Sequence, residues 1–158
     1  MQNTIKNALT GNHLNFHTLL STPQQTVYKL GIQLENGRCD TIIDIRPEQD
    51  QVLIFTTCPT LIPSNHRARI SEFITRANQG IIIGNFELNF NDGEVRYKAT
   101  YIYDKTFPNS ETIFLKNLYC SFNMMDRYLP GIMTVVYANI LPSQAISQIE
   151  NVTNPLMN

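Results

Sequence analysis

The sequence predicts an α+β domain, a curved antiparallel sheet of about five strands packed against helices in the order α-β-β-β-α-β-β-α. Three observations carry this. Two dipeptides of hairpin type, Asn36-Gly37 and Asp92-Gly93, each lie between runs of alternating apolar and polar residues. Two stretches, one after Pro63 and one after Ser110, repeat apolar residues at helical spacing. The chain has 158 residues, 42% of them hydrophobic and 16% charged, which suits one domain with one core.

Residues 2–10 read as a short amphipathic helix through Ile5, Ala8 and Leu9, and His13 to Leu20 as an edge strand before the turn at Pro23. A single domain spans 1–158, with residues 1–12 and 151–158 expected to be loosely ordered.

The first hairpin places Asn36 and Gly37 at the centre of a type I′ turn, where both residues need positive φ. That register sets Leu34 against Cys39, Ile32 against Thr41, Leu30 against Ile43 and Tyr28 against Ile45, with Lys29 opposite Asp44 on the other face. After the polar stretch from Arg46 to Asp50, Val52-Leu53-Ile54-Phe55 is apolar on both alternating faces. It reads as a central strand covered on two sides.

A helix is expected from about Ser64 to Gln79, with Ile70, Phe73, Ile74 and Ala77 inward and Arg67, Arg69, Glu72 and Arg76 outward. Gly80 stands where a left-handed C-terminal cap is wanted. The second hairpin, centred on Asp92-Gly93, pairs Phe90 with Val95, Leu88 with Tyr97 and Phe86 with Ala99. Its other face pairs Asn89 with Arg96 and Glu87 with Lys98. A slip of one residue would turn Phe86 and Leu88 into water, so the pattern selects the face.

Asn109 or Ser110 can cap a long helix whose stripe is Phe114, Leu118, Phe122, Met125 and Leu129. Pro130 cannot donate to the carbonyl of Asp126, so a bend or break is expected there, with Ile132 to Ala138 continuing at an angle. Pro142 is expected to end that segment, and Ser143 to Glu150 to form a last short helix.

Twelve Lys and Arg against thirteen Asp and Glu leave a net charge of -1, which offers no cationic excess for a run of phosphates. Nucleic-acid binding is not expected. Neither a membrane span nor an export signal is visible, and three scattered cysteines, Cys39, Cys58 and Cys120, suit a reducing cytoplasm.

The segment Asn78-Gln79-Gly80-Ile81-Ile82-Ile83-Gly84-Asn85-Phe86-Glu87, followed by Asp92-Gly93-Glu94-Val95-Arg96-Tyr97-Lys98, resembles the YbjN domain family of bacterial proteins. Asp126-Arg127-Tyr128-Leu129-Pro130 is similar to that family as well. The upstream hairpin departs from the pattern, since many members carry an aromatic near Arg38 to Cys39 and this chain has no Trp. The resemblance implies a fold similar to type III secretion chaperones, often dimeric, and a role in sensory transduction regulation without assigned catalytic residues.

Catalytic and metal chemistry have little to build on. His13 and His17 are four apart, but no carboxylate or cysteine at ligand spacing joins them. The cysteines fall on predicted strands and a helix, where small buried apolar residues are the ordinary reading. No GxSxG, P-loop or dinucleotide fingerprint is present. No cofactor, metal or catalytic residue is expected, and the chain reads as a protein- or peptide-binding module rather than an enzyme. Its sheet face or edge would take an extended peptide or a second copy of the chain.

The candidate contact residues are Asn78, Asn85, Glu87, Arg96, Tyr101 and Tyr103, the tyrosines offering apolar area with a polar tip. For Asn78 and Asn85 a loop-bracing role is the blander alternative, for Glu87 and Arg96 a solvated cross-strand pair. The rival function is a small-molecule binder or enzyme with a pocket between the sheet and the bent helix around Asp126 to Pro130.

Overall fold

The computed structural model describes residues 1–104 and 110–151. The elements are α1 (Gln2–Gly11), β1 (Phe16–Ser21), β2 (Thr26–Gln33), β3 (Arg38–Arg46), β4 (Gln51–Thr57), α2 (Arg67–Gly80), β5 (Asn85–Leu88), β6 (Val95–Ile102), α3 (Ser110–Tyr137) and α4 (Pro142–Asn151). The six strands form one antiparallel sheet in the order β1-β2-β3-β4-β6-β5. The α+β class predicted from the sequence is the observed one, and the sixth strand is the edge strand β1.

Alternation places Tyr28, Leu30, Cys39, Ile43, Ile45, Val52, Ile54, Val95, Tyr97 and Ala99 on one buried face of the sheet. Phe73, Phe114, Leu118, Phe122, Met125 and Ile132 from α2 and α3 complete the core. Residues 1–12, read as loosely ordered, supply α1, whose Ile5, Ala8 and Leu9 are fully buried.

Both hairpins keep their predicted faces but shift by two residues in register. Ile32 opposes Cys39, Leu30 opposes Thr41 and Tyr28 opposes Ile43, so Lys29 makes its ion pair with Asp40 at 2.7 Å instead of facing Asp44. The turn closes with the Leu34 N–H donating to the Gly37 carbonyl, and neither Asn36 nor Gly37 has positive φ. A tertiary contact overrides the local turn preference. The Asn36 N–H donates to Asp126 Oδ1 at 2.7 Å, and its side-chain amide donates to the Asp126 carbonyl at 3.1 Å. Gly37 is suited to its place by closeness rather than by φ, since a Cβ there would lie 2.9 Å from Leu129 Cδ2.

At Pro130, where a bend or break is expected, α3 is not broken and runs from Ser110 to Tyr137. The Asp126 carbonyl is the acceptor that Pro130 leaves without its helical donor, and the Asn36 amide takes that place. Further along, Gly131 lets α3 approach Phe73 and Ile149, which a Cβ would strike. The chain leaves α3 through Asn139 at φ 55, and Pro142 starts α4 instead of ending α3. The capping role expected of Asn109 lies outside the described residues, as does the chain beyond residue 151.

In the second hairpin Phe86 opposes Tyr97, Glu87 opposes Arg96 and Leu88 opposes Val95. The loop is four residues long, Phe90 to Gly93, closed by Asn89 N–H to the Glu94 carbonyl. Phe90, expected to pair with Val95, is 55% exposed. The Ile62 N–H donates to the Gly93 carbonyl, and the Arg67 guanidinium donates to the carbonyls of Ile62, Phe90 and Asn91. The loop is thus held from outside the hairpin, and Gly93 alone adopts positive φ.

Two expectations for α2 also change. Gly80 is its last residue and is followed by extended Ile81 at φ -84, with no left-handed cap. Arg67 and Arg69 are tethers rather than solvated cations, the latter donating to the carbonyls of Asn139 and Ile140.

Candidate functional site

One face of the sheet packs on the helices; the other has no covering layer among the described residues. The open face presents Val27, Lys29 and Gly31 from β2, Arg38, Asp40, Ile42 and Asp44 from β3, and Leu53, Phe55 and Thr57 from β4. Arg96, Lys98, Thr100 and Ile102 from β6 and Asn85 and Glu87 from β5 continue it. Val27, Ile42, Leu53 and Phe55 make a half-buried apolar belt, and Ile102 is 76% exposed at its end. The sequence expectation that β4 is covered on both sides is therefore corrected: Leu53 and Phe55 have only their strand neighbours over them.

Charge frames this belt. Asp44, among the buried residues, accepts two hydrogen bonds from the Arg46 guanidinium at 2.8 and 2.9 Å and one from the Gln25 amide at 2.9 Å. Such a carboxylate is held in one orientation by three donors. At the opposite end Glu87 pairs with Arg96 at 2.9 Å and with Lys98. Arg96 lies 4.5 Å from the centre of the Phe55 ring, a cation–π contact that joins the ion pairs to the apolar belt. Burial pushes the Glu87 carboxyl upward, but hydrogen bonds from Lys98 and Arg96 outweigh it and hold the group below its usual range. A cleft of about 290 Å³ lies beside this cluster, lined by Glu87, Leu88, Asn89, Glu94 and Arg96.

Of the six sequence-predicted contact residues, Glu87, Arg96 and Asn85 share the open face near β5. Asn78 is a brace: its amide donates to the Phe86 carbonyl at 3.0 Å while its oxygen accepts the Phe86 N–H at 2.8 Å. Asn85 also donates to the Phe86 carbonyl, at 3.2 Å.

Tyr101 and Tyr103 lie apart from these four, on the helix-facing side at the far end of β6, where Tyr103 is buried. They flank a hollow of about 230 Å³ with Ile102, Asp104, Ser110 and Ile113. Burial, with Tyr103 adding to it, raises the Tyr101 hydroxyl above its ordinary value. Sequence reasoning missed Ile42, Asp44, Leu53 and Phe55 as face residues. The available signal was that both alternating sides of β4 are apolar while only one side of a sheet needs a core.

His13 and His17 are exposed, and the described residues hold no cluster of three or more metal-ligating side chains. Burial pushes the thiols of Cys39 and Cys58 up to about 11, the direction opposite to nucleophile activation. Of the stretch Asp126 to Pro130, where a pocket is expected, Asp126 is bonded to Asn36 and Leu129 packs against Gly37, while Arg127 and Tyr128 line a hollow. That hollow, of about 200 Å³, lies between α3 and the loop from Gly80 to Ile83.

No protein-family model matches the chain, and no curated protein does. Among solved structures the chain is similar to one described as "Crystal Structure of the ExsC-ExsE Complex", at 12% identity and a TM-score of 0.34, covering 80% of this chain and 91% of that one.

Proposed function

We propose that this chain is a non-catalytic protein-binding module of regulatory or chaperone-like type, which receives an extended segment of a partner protein across the open face of its sheet. The observation that carries the reading is the uncovered apolar belt of Val27, Ile42, Leu53 and Phe55, framed by fixed ion pairs. An apolar centre with a polar rim is the anatomy of a protein interface. An extended segment fits a pleated surface because its alternate side chains can enter the shallow rows between strands.

The charged groups suit the same role. Asp44, Glu87, Arg96 and Lys98 are already paired, so a partner covering them would not bury a lone charge. Within the stretch that resembles the YbjN family, Asn85–Leu88 and Val95–Lys98 form the β5–β6 corner of this face, and that resemblance supports the regulatory side of the reading. Three free thiols support work in a reducing cytoplasm. No described helix is long and apolar enough to cross a membrane.

The test is position-specific photo-crosslinking in cells. A benzophenone side chain at Thr100, on the open face, is expected to give a discrete protein adduct. The same group at exposed Gln148 on α4 is expected to give none. Adducts of equal yield at both positions, or none at Thr100, overturn the reading.

A further inference from the structure

The open face of the sheet does not share the charge balance of the whole chain, which carries -1. Among the strand residues of this face five are cationic, Lys29, Arg38, Arg46, Arg96 and Lys98, and three are acidic, Asp40, Asp44 and Glu87. Arg46 is matched by Asp44 at 2.8 Å and Lys29 by Asp40 at 2.7 Å. Arg96 and Lys98 share Glu87, and Glu94, at the entry to β6, reaches Arg96 only at 3.9 Å. Arg38 is exposed and makes no ion pair or side-chain hydrogen bond among the described residues. Asp50 and Asp104 lie together beside Ile102, at the far end of β6, so the cationic excess sits at the end that holds Arg38 and Arg96.

The place of Arg38 follows from a glycine. Gly31 leaves β2 without a side chain on this face, and Arg38 lies in the gap, its Nη2 3.1 Å from where a Cβ would stand. Gly31 is opposite Asp40, Asp40 is opposite Thr57, and Thr57 is opposite Arg96. One row across the face therefore has a guanidinium toward each end, and the Asp40 between them is already neutralised by Lys29. The next row along the strands, about 7 Å away, holds Ile42 and Phe55, and the row after it holds Asp44 and Leu53. Alternate side chains of an extended segment repeat at the same distance. Two apolar side chains at alternate positions fit over Leu53 and then over Ile42 and Phe55, which brings the next alternate position to the guanidinium row.

We propose that the partner segment received by this face is acidic, with apolar residues at two alternate positions and carboxylates at the next one or two, held by Arg38 and Arg96. This assignment rests on the open face being the binding surface and adds the chemistry of its occupant. A guanidinium offers a carboxylate two parallel hydrogen bonds, and Arg38 has no carboxylate of this chain to give up for them. A basic segment would set its cations against Arg38, Arg96 and Lys98. A neutral segment would gain nothing from Arg38.

The test selects a random linear peptide library, displayed on phage, against the full chain. The enriched peptides are expected to be acidic, with apolar residues at alternate positions before the carboxylates. A synthetic copy of one, followed by fluorescence anisotropy, is expected to bind at least fivefold more weakly to Arg38→Ala, more weakly still to Arg38→Glu, and unchanged to Lys116→Ala on α3. Raising the salt from about 0.05 to 0.5 M should weaken binding to the unmodified chain more than binding to Arg38→Ala. Benzophenone at Thr100 should cross-link the same peptide. Neutral or basic peptides that cross-link at Thr100, or acidic peptides insensitive to Arg38→Ala, overturn the acidic occupant and leave the open face as the binding surface. Enriched peptides that do not cross-link at Thr100, or no enrichment at all, overturn both.

Discussion

The side-chain amide of Asn36 donates to the backbone carbonyl of Asp126, the acceptor that Pro130 cannot serve, while the Asp126 carboxylate takes the Asn36 N–H at 2.7 Å. One residue of a β-turn thereby repairs a helix ninety positions away in sequence. Replacing Asp126 by Ala is expected to cost about 1 kcal/mol, because the contact is charge-assisted but exposed. In thermal unfolding this is a fall of about 2–4 °C for a chain of this size. Asp126→Asn, which keeps an acceptor, is expected to lose less. Equal losses in both variants would show that the carboxylate oxygen is not what holds the turn.

Asn78 grips both backbone groups of Phe86, so Asn78→Ala takes the side-chain acceptor from the N–H of a buried strand residue and leaves its carbonyl to the Asn85 amide. A loss of about 1–3 kcal/mol is expected. Hydrogen exchange should localise the damage to β5, with faster exchange at Phe86 than at the β2 amides.

The glycines separate two kinds of steric demand. Gly93 has φ 86, and a Cβ would run into the Ile62 carbonyl, a backbone atom that cannot rotate away. Gly37 faces only the tip of Leu129. Gly93→Ala should therefore cost several kcal/mol, combining strain of about 1–3 kcal/mol with a clash of similar size. Gly37→Ala should cost clearly less, and urea midpoints of the two variants would rank them.

The Glu87 carboxyl is held below its ordinary value of 4.5 in the folded chain by Lys98 and Arg96. A lowered folded value means that the carboxylate stabilises the fold above the unfolded pKa, and that this contribution disappears as pH falls through the folded one. Glu87→Gln is expected to destabilise by less than about 1 kcal/mol at neutral pH, since the group is partly exposed and screened. The difference should vanish below the folded pKa. Denaturation curves at pH 7 and in acid, compared between the two proteins, check the sign.

Thiol titration offers a direct view of burial. Cys39 and Cys58, pushed up to about 11 by burial, should react slowly at pH 7.5, leaving partly exposed Cys120 as the fast thiol. All three should react together in denaturant. Two fast thiols in the native protein would contradict the packing of β3 or of the chain after β4.

Which side of the hairpin strands β2, β3, β5 and β6 faces the core was legible in the sequence, because a period of two survives any even shift of register. Phe86, Tyr28 and Leu30 lie inward as expected. Register was not legible, since Asn36-Gly37 and Asp92-Gly93 both favour a two-residue turn, and the forces that overrule it come from Asp126, Leu129, Ile62 and Arg67. Sequence distance hides such partners. The candidate site was half visible: Glu87 and Arg96 stand out as a cross-strand pair, whereas Ile42 and Phe55 look like core until the topology shows that no helix reaches their side. Tyr101 and Tyr103 follow the inward parity of Tyr97 and therefore fall on the other side of the sheet from Arg96.

The strand order has a consequence for synthesis on the ribosome. The first four strands are neighbours in both sequence and sheet, but β4 receives its second neighbour only from residues 95–102. At ordinary elongation speeds of about 5–20 residues per second, roughly 2–9 s separate the emergence of β4 from that of β6. Throughout that interval the nascent chain carries an unpaired apolar edge, the kind of template on which other chains aggregate. Slow translation or truncation within this window is where the molecule is most exposed to misassembly.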